Sequence, residues 1–382
     1  MMNYSIRNQL FFICLYLCIN QATRIFHQVT FDDLSANRST DQSINTELNE
    51  IWFIWKTTFN KSYVRKVQKT RKSRRQNEGI LVEWDSKIEE DYRREIWQSN
   101  IHRILLHNLR YDLDLVTYTL GLNQFSDLTW TEFSLIYLPS ILMPKNMHKS
   151  INLLKLIKPL NKTNYLNAPD SFNWRDKGVV TDVKNQGDCG CGWAFASVGA
   201  LEGQMNRASI PVQSLSAQQL IDCSMDYGND GCLAGLMIYS YDYISDNGIE
   251  SERNYPFVGE ELPCQHIGNS SVIRSRSYFI IPEGEEITLK YSLYDRGPFA
   301  GAISFSPDFI FYKQGVYQSD DCSPVDVMHG ILIIGYGYQD DEEYWLLKNS
   351  WGKSWGENGY AKIKRNAGNM CGIATMAIIP TL

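Results

Sequence analysis

The placement of cysteines constrains this 382-residue chain more than any other feature. Two of the nine, Cys14 and Cys18, lie inside a short apolar run, residues 10–19. That run is too short to span a bilayer and predicts a secretory signal peptide over residues 1–22, with an uncleaved membrane anchor as the alternative. The other seven lie in the back half, where a secreted chain would pair them as disulfides and leave one thiol over. These seven are Cys189, Cys191, Cys223, Cys232, Cys264, Cys322 and Cys371.

Composition and charge predict a globular chain made of two parts of opposite charge. The chain is 43% apolar and 21% charged, which is typical of packed domains. Residues 168–382 carry 15 Lys and Arg against 27 Asp and Glu, a net charge of −12, and the first 167 residues carry +6. The two parts should attract each other, and the acidic back half argues against nucleic acid as a partner.

The front half has the periodicity of helices. Apolar residues recur at helical spacing in residues 51–63 and again after Glu89, and Glu89 and Arg93 are spaced to pair along one face. Residues 121–127 predict a strand or turn, and residues 137–167 predict an extended linker. A basic insertion at about residues 64–88 predicts a solvated loop, with a processing site or an anchor for polyanions as alternatives.

Ten positions of the front half match a known pattern at fixed spacing. They resemble the inhibitory propeptide of the cathepsin L-like branch of the papain family. The resemblance implies a zymogen, with a propeptide over residues 23–167 and a small helical inhibitor domain at about residues 48–130. It also implies a tail that runs through the active-site cleft backwards relative to a substrate. The positions are Glu89, Arg93, Trp97, Asn100, Ile104, Asn108, Gly121, Asn123, Phe125 and Asp127.

From Ala168 to the C-terminus the chain resembles the papain-like peptidase domain itself. Cysteine peptidases of this family need a thiolate at a helix N-terminus, a histidine, an asparagine that orients it and a glutamine that donates to the oxyanion. By resemblance, the glutamine is Gln186, the histidine is His329 and the asparagine is Asn349, with Trp351 shielding it.

The expected nucleophile is missing. The family pattern Q-G-x-C-G-S-C-W-A-F aligns without gaps on residues 186–195, so the resemblance assigns the nucleophile position to Gly192 and the preceding serine position to Cys191. One residue along a helix is a rotation of about 100°, and a misplacement of about 1 Å can cost about 100-fold in rate. We therefore expect weak activity or none. An active endopeptidase using Cys191, a structural or storage scaffold, and a coding error that hides a cysteine are the alternatives.

The remaining site residues also follow from the resemblance. It implies disulfides Cys189–Cys232, Cys223–Cys264 and Cys322–Cys371, with Cys191–Cys232 as an alternative that the sequence leaves open. A zinc site is not expected, because C-x-C is not the usual ligand spacing, and no cofactor or other metal is predicted. The residues expected to bind substrate are Gly235, Leu236, Met237, Ala302, Val327, Met376 and Trp351, although the apolar ones among them could equally fill the core.

The resemblance predicts an α+β fold of two lobes, one helical and one rich in β-structure, with the cleft between them. The apolar or alternating pattern of strands occurs at residues 299–303, 331–336, 344–347 and 360–364. Residues 193–207 are expected to form a long helix. We expect a monomer in the secretory pathway, extracellular or lysosomal, that binds its own propeptide, a peptide or protein ligand, and cystatin-like inhibitors. Stable membrane insertion is not expected.

The opposite charges of the two parts predict that their association depends on pH. Protonation of carboxylates near pH 4–5 removes negative charge from residues 168–382 and should weaken docking. We expect the affinity of the separated propeptide to be lower at pH 4.5 than at pH 7. Equal affinities at the two pH values would contradict this.

Overall fold

In a computed structural model of the chain, the residues described are 38–63, 86–138, 168–266 and 272–382. The predicted signal peptide, most of the basic insertion and the linker beyond residue 138 lie outside them. Residues 1–105 and 106–382 form two compact units. The helices are α1 Arg38–Thr58, α2 Ser86–Asp112, α3 Trp130–Tyr137, α4 Gly192–Arg207, α5 Ala217–Cys223, α6 Met237–Asn247 and α7 Glu286–Arg296. The strands are β1 Tyr118–Leu120, β2 Phe172–Asn173, β3 Ser277–Ile280, β4 Phe299–Ile303, β5 Tyr312–Tyr317, β6 His329–Gln339, β7 Glu342–Lys348, β8 Tyr360–Lys364 and β9 Met376–Thr381.

The first unit is held together by aromatic packing between α1 and the first half of α2. Trp52, Trp55 and Trp97 are buried, and the Trp52 and Trp97 rings meet edge to face at 5.1 Å. Such geometry contributes about 0.5–1.5 kcal/mol beyond the area buried. The pairing of Glu89 with Arg93 is confirmed, at 2.7 Å.

The second unit is built on a sheet with the strand order β1-β5-β8-β7-β6-β4-β9-β3, with β2 also pairing with β6. Helix α4 packs on β4, β6 and β9. Because α4 and the strands beneath it are almost entirely buried, their apolar residues form one core. The predicted strands at residues 299–303 and 360–364 have the observed bounds. The other two are longer than predicted, and β6 begins at His329 itself.

Residues 106–138 are bound to this sheet. Strand β1, which the sequence did not predict, pairs antiparallel with β5, and the Asn108 side chain fixes its end with two hydrogen bonds to the backbone of Leu120. Residues 121–127 form turns rather than a strand. Tyr137, predicted to begin the linker, is the last residue of α3, whose start is fixed by a capping box between Thr129 and Glu132.

Helix α3 binds through aromatic side chains. Phe133 is fully buried, and its ring lies 5.3 Å from that of Trp351 and 4.9 Å from that of Tyr137. Gln124 reinforces this contact, since its Nε2 donates to the carbonyl oxygen of Trp351 over 2.6 Å. The part of the chain that the structure describes contains no helix long and apolar enough to cross a membrane.

Truncating Phe133 should loosen α3 while leaving the rest of the second unit folded. Loss of a buried phenylalanine costs about 3–5 kcal/mol, so Phe133→Ala should strongly increase hydrogen exchange in Trp130–Tyr137. Leu135→Ala is the matched control, because Leu135 lies on the same helix and is 79% exposed. Equal exchange in the two variants would contradict the packing described.

Candidate active site

Three polar residues singled out in the sequence meet where α4 begins. His329 is the first residue of β6, Asn349 follows the end of β7, and Gln186 lies six residues before α4. All three are buried, although their residue types usually prefer water. The packing of α4 on β6 brings them together across more than 130 residues of sequence.

His329 is fixed by Asn349 and covered by Trp351. The imidazole Nε2 donates to Asn349 Oδ1 over 2.8 Å, and the ring centroids of His329 and Trp351 lie 4.8 Å apart. Burial lowers the pKa of His329 to about 4, and the hydrogen bond to Asn349 only partly opposes this. The imidazole is therefore neutral at neutral pH, and the lone pair is on Nδ1.

Gly192 lies directly against this imidazole. An ideal Cβ placed on Gly192 would be 2.5 Å from His329 Cε1 and 2.8 Å from Nδ1, closer than a side chain allows. The absence of a side chain thus permits the ring to pack on the helix start. His329 Nδ1 is buried and has no hydrogen-bond partner among the described residues.

Cys191, the residue before Gly192, is shielded from solvent. It is fully buried, it is the N-cap residue of α4 and its thiol is free. Burial raises the pKa of this thiol far above its ordinary value, so it remains protonated. The structure joins the six other cysteines of residues 168–382 as Cys189–Cys232, Cys223–Cys264 and Cys322–Cys371, and the alternative Cys191–Cys232 pair is not formed.

Gln186 makes hydrogen bonds within the site. Its Nε2 donates to the carbonyl oxygen of Cys189 over 2.8 Å, and its Oε1 accepts from Ser350 Oγ over 2.6 Å. Sequence reasoning did not single out Ser350, although it lies inside the K-N-S-W-G motif that pointed to Asn349. The serine hydroxyl fixes the orientation of the glutamine amide.

The residues expected to bind substrate are also near α4. The Gly235 backbone lies on the Trp193 indole, so closely that an ideal Cβ there would be 2.2 Å from the ring. Ala302 faces Met376 across the β4–β9 pair. Leu236, Met237, Ala302, Val327 and Met376 all belong to one buried core cluster, so in this structure they contribute to packing.

The cysteines near His329 offer no set of metal ligands. Cys189 is oxidised to a disulfide, which removes it as a thiolate donor. Across the described ranges, no group of three or more His, Cys, Asp or Glu side chains is placed to hold a metal ion.

Comparisons with known proteins agree with this architecture. The family model "Papain family cysteine protease" matches residues 168–381, and "Cathepsin propeptide inhibitor domain (I29)" matches residues 52–133. A cathepsin L-like proteinase of Fasciola hepatica is 40% identical over 332 residues, covering 87% of this chain and 93% of that protein. Cathepsin S of Mus musculus is 38% identical over 335 residues, covering 87% and 90% respectively. Digestive procathepsin L2 of Tenebrio molitor superposes with a TM-score of 0.77 at 37% identity, covering 88% of this chain and all of that one.

The lowered pKa of His329 predicts a specific loss of stability in acid. The unfolded chain takes up a proton on this imidazole below pH 6.5, and the folded chain takes it up only near pH 4. The contribution of His329 to the free energy of unfolding is therefore complete above pH 6.5 and declines as the pH falls. Between pH 7 and pH 4.5 the decline is about 2–3 kcal/mol. In urea unfolding, the free energy of unfolding of His329→Gln should lack this pH-dependent decline. The control His102→Gln, at an exposed position, should retain it. The same pH dependence in all three proteins would show that His329 is not its source.

Proposed function

Because the chain belongs to the papain family of cysteine proteases, with a cathepsin propeptide inhibitor domain before the peptidase domain, we propose that it is a cathepsin L-like homologue without a nucleophile. In this proposal the cleft binds peptides but does not hydrolyse them at the rate of an active relative. The observation that carries it is the direct contact between Gly192 and His329 at the N-terminus of α4.

The position of Gly192 supports this assignment chemically. A nucleophile of this family gains its reactivity from a helix N-terminus and from a neighbouring imidazole. Gly192 is the first residue of a 16-residue helix and lies against His329, so it has both neighbours and no atom that could attack a carbonyl. Asn349 and Gln186 then have no covalent step to assist.

The use of Cys191 as a substitute is not favoured. A nucleophile must reach the substrate carbonyl as a thiolate, whereas this thiol is fully buried and burial raises its pKa. The backbone hydrogen bond from Cys191 N to Cys189 O, at 2.8 Å, and the Cys189–Cys232 disulfide both hold the loop in place.

The proposed biology is that of a binding protein in the secretory pathway. Three disulfides agree with an oxidising compartment, and lysosomal or extracellular delivery is part of the proposal. The first ligand is the chain's own propeptide, and after its removal the cleft would receive a peptide, a protein or a cystatin-like inhibitor. An inactive domain cannot process itself, so another protease would have to release the propeptide.

Restoring a thiol at residue 192 tests the proposal. After propeptide removal by an added protease, Gly192→Cys should hydrolyse a dipeptidyl fluorogenic substrate at least about 10³-fold faster than the natural chain. In other enzymes, loss of the nucleophile of a triad costs about 10⁶-fold in kcat. We expect a smaller gain here because the His329 imidazole must first move away from the new Cβ.

Gly192→Ala is the matched control, because it imposes the same Cβ contact on His329 without adding a thiol. It should remain as inactive as the natural chain. Turnover by the natural chain equal to that of Gly192→Cys would contradict the proposal.

A further inference from the structure

The turn that ends helix α1 carries two exposed polar side chains that the proposed function does not use. Asn60 and Ser62 are exposed, and Lys61 between them is partly buried. The three residues form an Asn-x-Ser sequon, in which x is not proline, and this triplet is the acceptor motif for N-linked glycosylation. Further sequons lie outside the residues that the structure describes, at Asn37, Asn161 and Asn269.

Backbone hydrogen bonds close the end of α1 and leave Asn60 just beyond the helix. The amide of Lys61 donates to the carbonyl oxygen of Lys56 over 2.9 Å, and the amide of Asn60 donates to that of Thr57 over 3.4 Å. Asn60 has a φ of 49°, a left-handed conformation that glycine, and less often asparagine, adopts at this position. This is the Schellman arrangement, in which the left-handed residue contributes its backbone N–H.

The residue between the asparagine and the serine packs back on the helix. Lys61 Nζ lies 5.5 Å from the centroid of the Trp55 ring, which is a cation–π distance, and Trp55 is buried. Lys61 is therefore held against the core of the first unit, while its two neighbours remain exposed. The left-handed turn explains an asparagine at residue 60 but not a hydroxyl at residue 62, which the sequon requires.

We propose that Asn60 carries an N-linked oligosaccharide. The proposal rests on the secretory route of the proposed function, and not on whether the chain hydrolyses peptides. In the transfer, Asn60 Nδ2 forms a C–N bond to the anomeric carbon of an oligosaccharide that is carried on a lipid pyrophosphate. The bond from that carbon to the pyrophosphate oxygen breaks, the lipid pyrophosphate leaves with the electron pair, and the amide nitrogen gives up one proton.

The folded chain has room for this group at Asn60. A glycan is bulky and hydrophilic and needs a surface position, and the Asn60 side chain is exposed. Because the helix end is closed by backbone N–H groups, modification of the side-chain amide leaves both hydrogen bonds in place. Residue 60 lies within the segment that matches the propeptide inhibitor domain, residues 52–133, so the glycan would leave with the propeptide.

Site-resolved mass spectrometry tests the proposal on the full chain, expressed with its own residues 1–22 in a eukaryotic cell line. Treatment of the secreted protein with a peptide N-glycosidase in heavy-oxygen water converts a glycosylated asparagine to an isotope-labelled aspartate. We expect most copies of the peptide that contains residue 60 to carry the label. Secretion with an unmodified Asn60 would overturn the glycan alone. Retention in the cytosol, seen by cell fractionation, would overturn the secretory route and the glycan with it.

Two substitutions at residue 62 form a matched pair. Ser62→Ala removes the hydroxyl and leaves the turn at Asn60 unchanged, so the label at residue 60 should be lost. Ser62→Thr keeps a hydroxyl and should keep the label. Asn60→Gly should also lose the label without loss of Tm, because glycine adopts the left-handed conformation readily. Equal labelling in Ser62→Ala and the natural chain would identify deamidation as its source and overturn the proposal.

Discussion

The packing of helix α4 on strands β4 and β6 is the constraint on which the site depends. It places the first turn of the helix against the first residue of β6, and so brings Gly192 to His329. Trp351 packs on the His329 ring, and Asn349 accepts a hydrogen bond from the imidazole. Because Trp351 also packs against Phe133 of the propeptide, the same indole stabilises the histidine and binds α3.

On the proposed reading, the absence of a side chain at residue 192 accompanies a change in the protonation state of the histidine. In an active relative a thiolate would stabilise the imidazolium as an ion pair. Here the ring packs on the glycine, is fully buried, and its pKa falls to about 4. On the proposed reading, the site keeps its peptide-binding cleft and has lost the charge separation on which catalysis depends. A chain of this kind would act by binding peptide ligands or inhibitors.

The sequence predicted the fold well because its motifs lie on regular elements. Alternating or continuous apolar runs marked the main strands, and the spacing of Glu89 and Arg93 marked the face of α2. Strand β1 is only three residues long and depends on pairing with β5, 192 or more residues away in sequence, so no local pattern could indicate it. The prolines beyond Tyr137 favoured a linker from that residue, whereas the capping box of Thr129 and Glu132 starts a helix that includes it.

The site was only partly predictable. The K-N-S-W-G and N-Q-G motifs indicated Asn349 and Gln186, but not that Ser350 orients Gln186 or that Gln186 donates to Cys189. The resemblance placed Gly192 and His329 in one site, but it did not indicate that the imidazole packs directly on the glycine. The hydrogen bonds from Lys348 to Thr181 and from Thr181 to Glu202 likewise join residues that meet only in the folded chain.

The intact mass of the natural chain after treatment with an epoxide inhibitor of papain-type thiolates tests the central proposal most directly. The propeptide would first be removed by an added protease, so that the cleft is open. We expect the mass to remain that of the unmodified protein, with glycine at residue 192 verified by peptide mapping. A stoichiometric adduct mapped to Cys191 would contradict the absence of a working nucleophile.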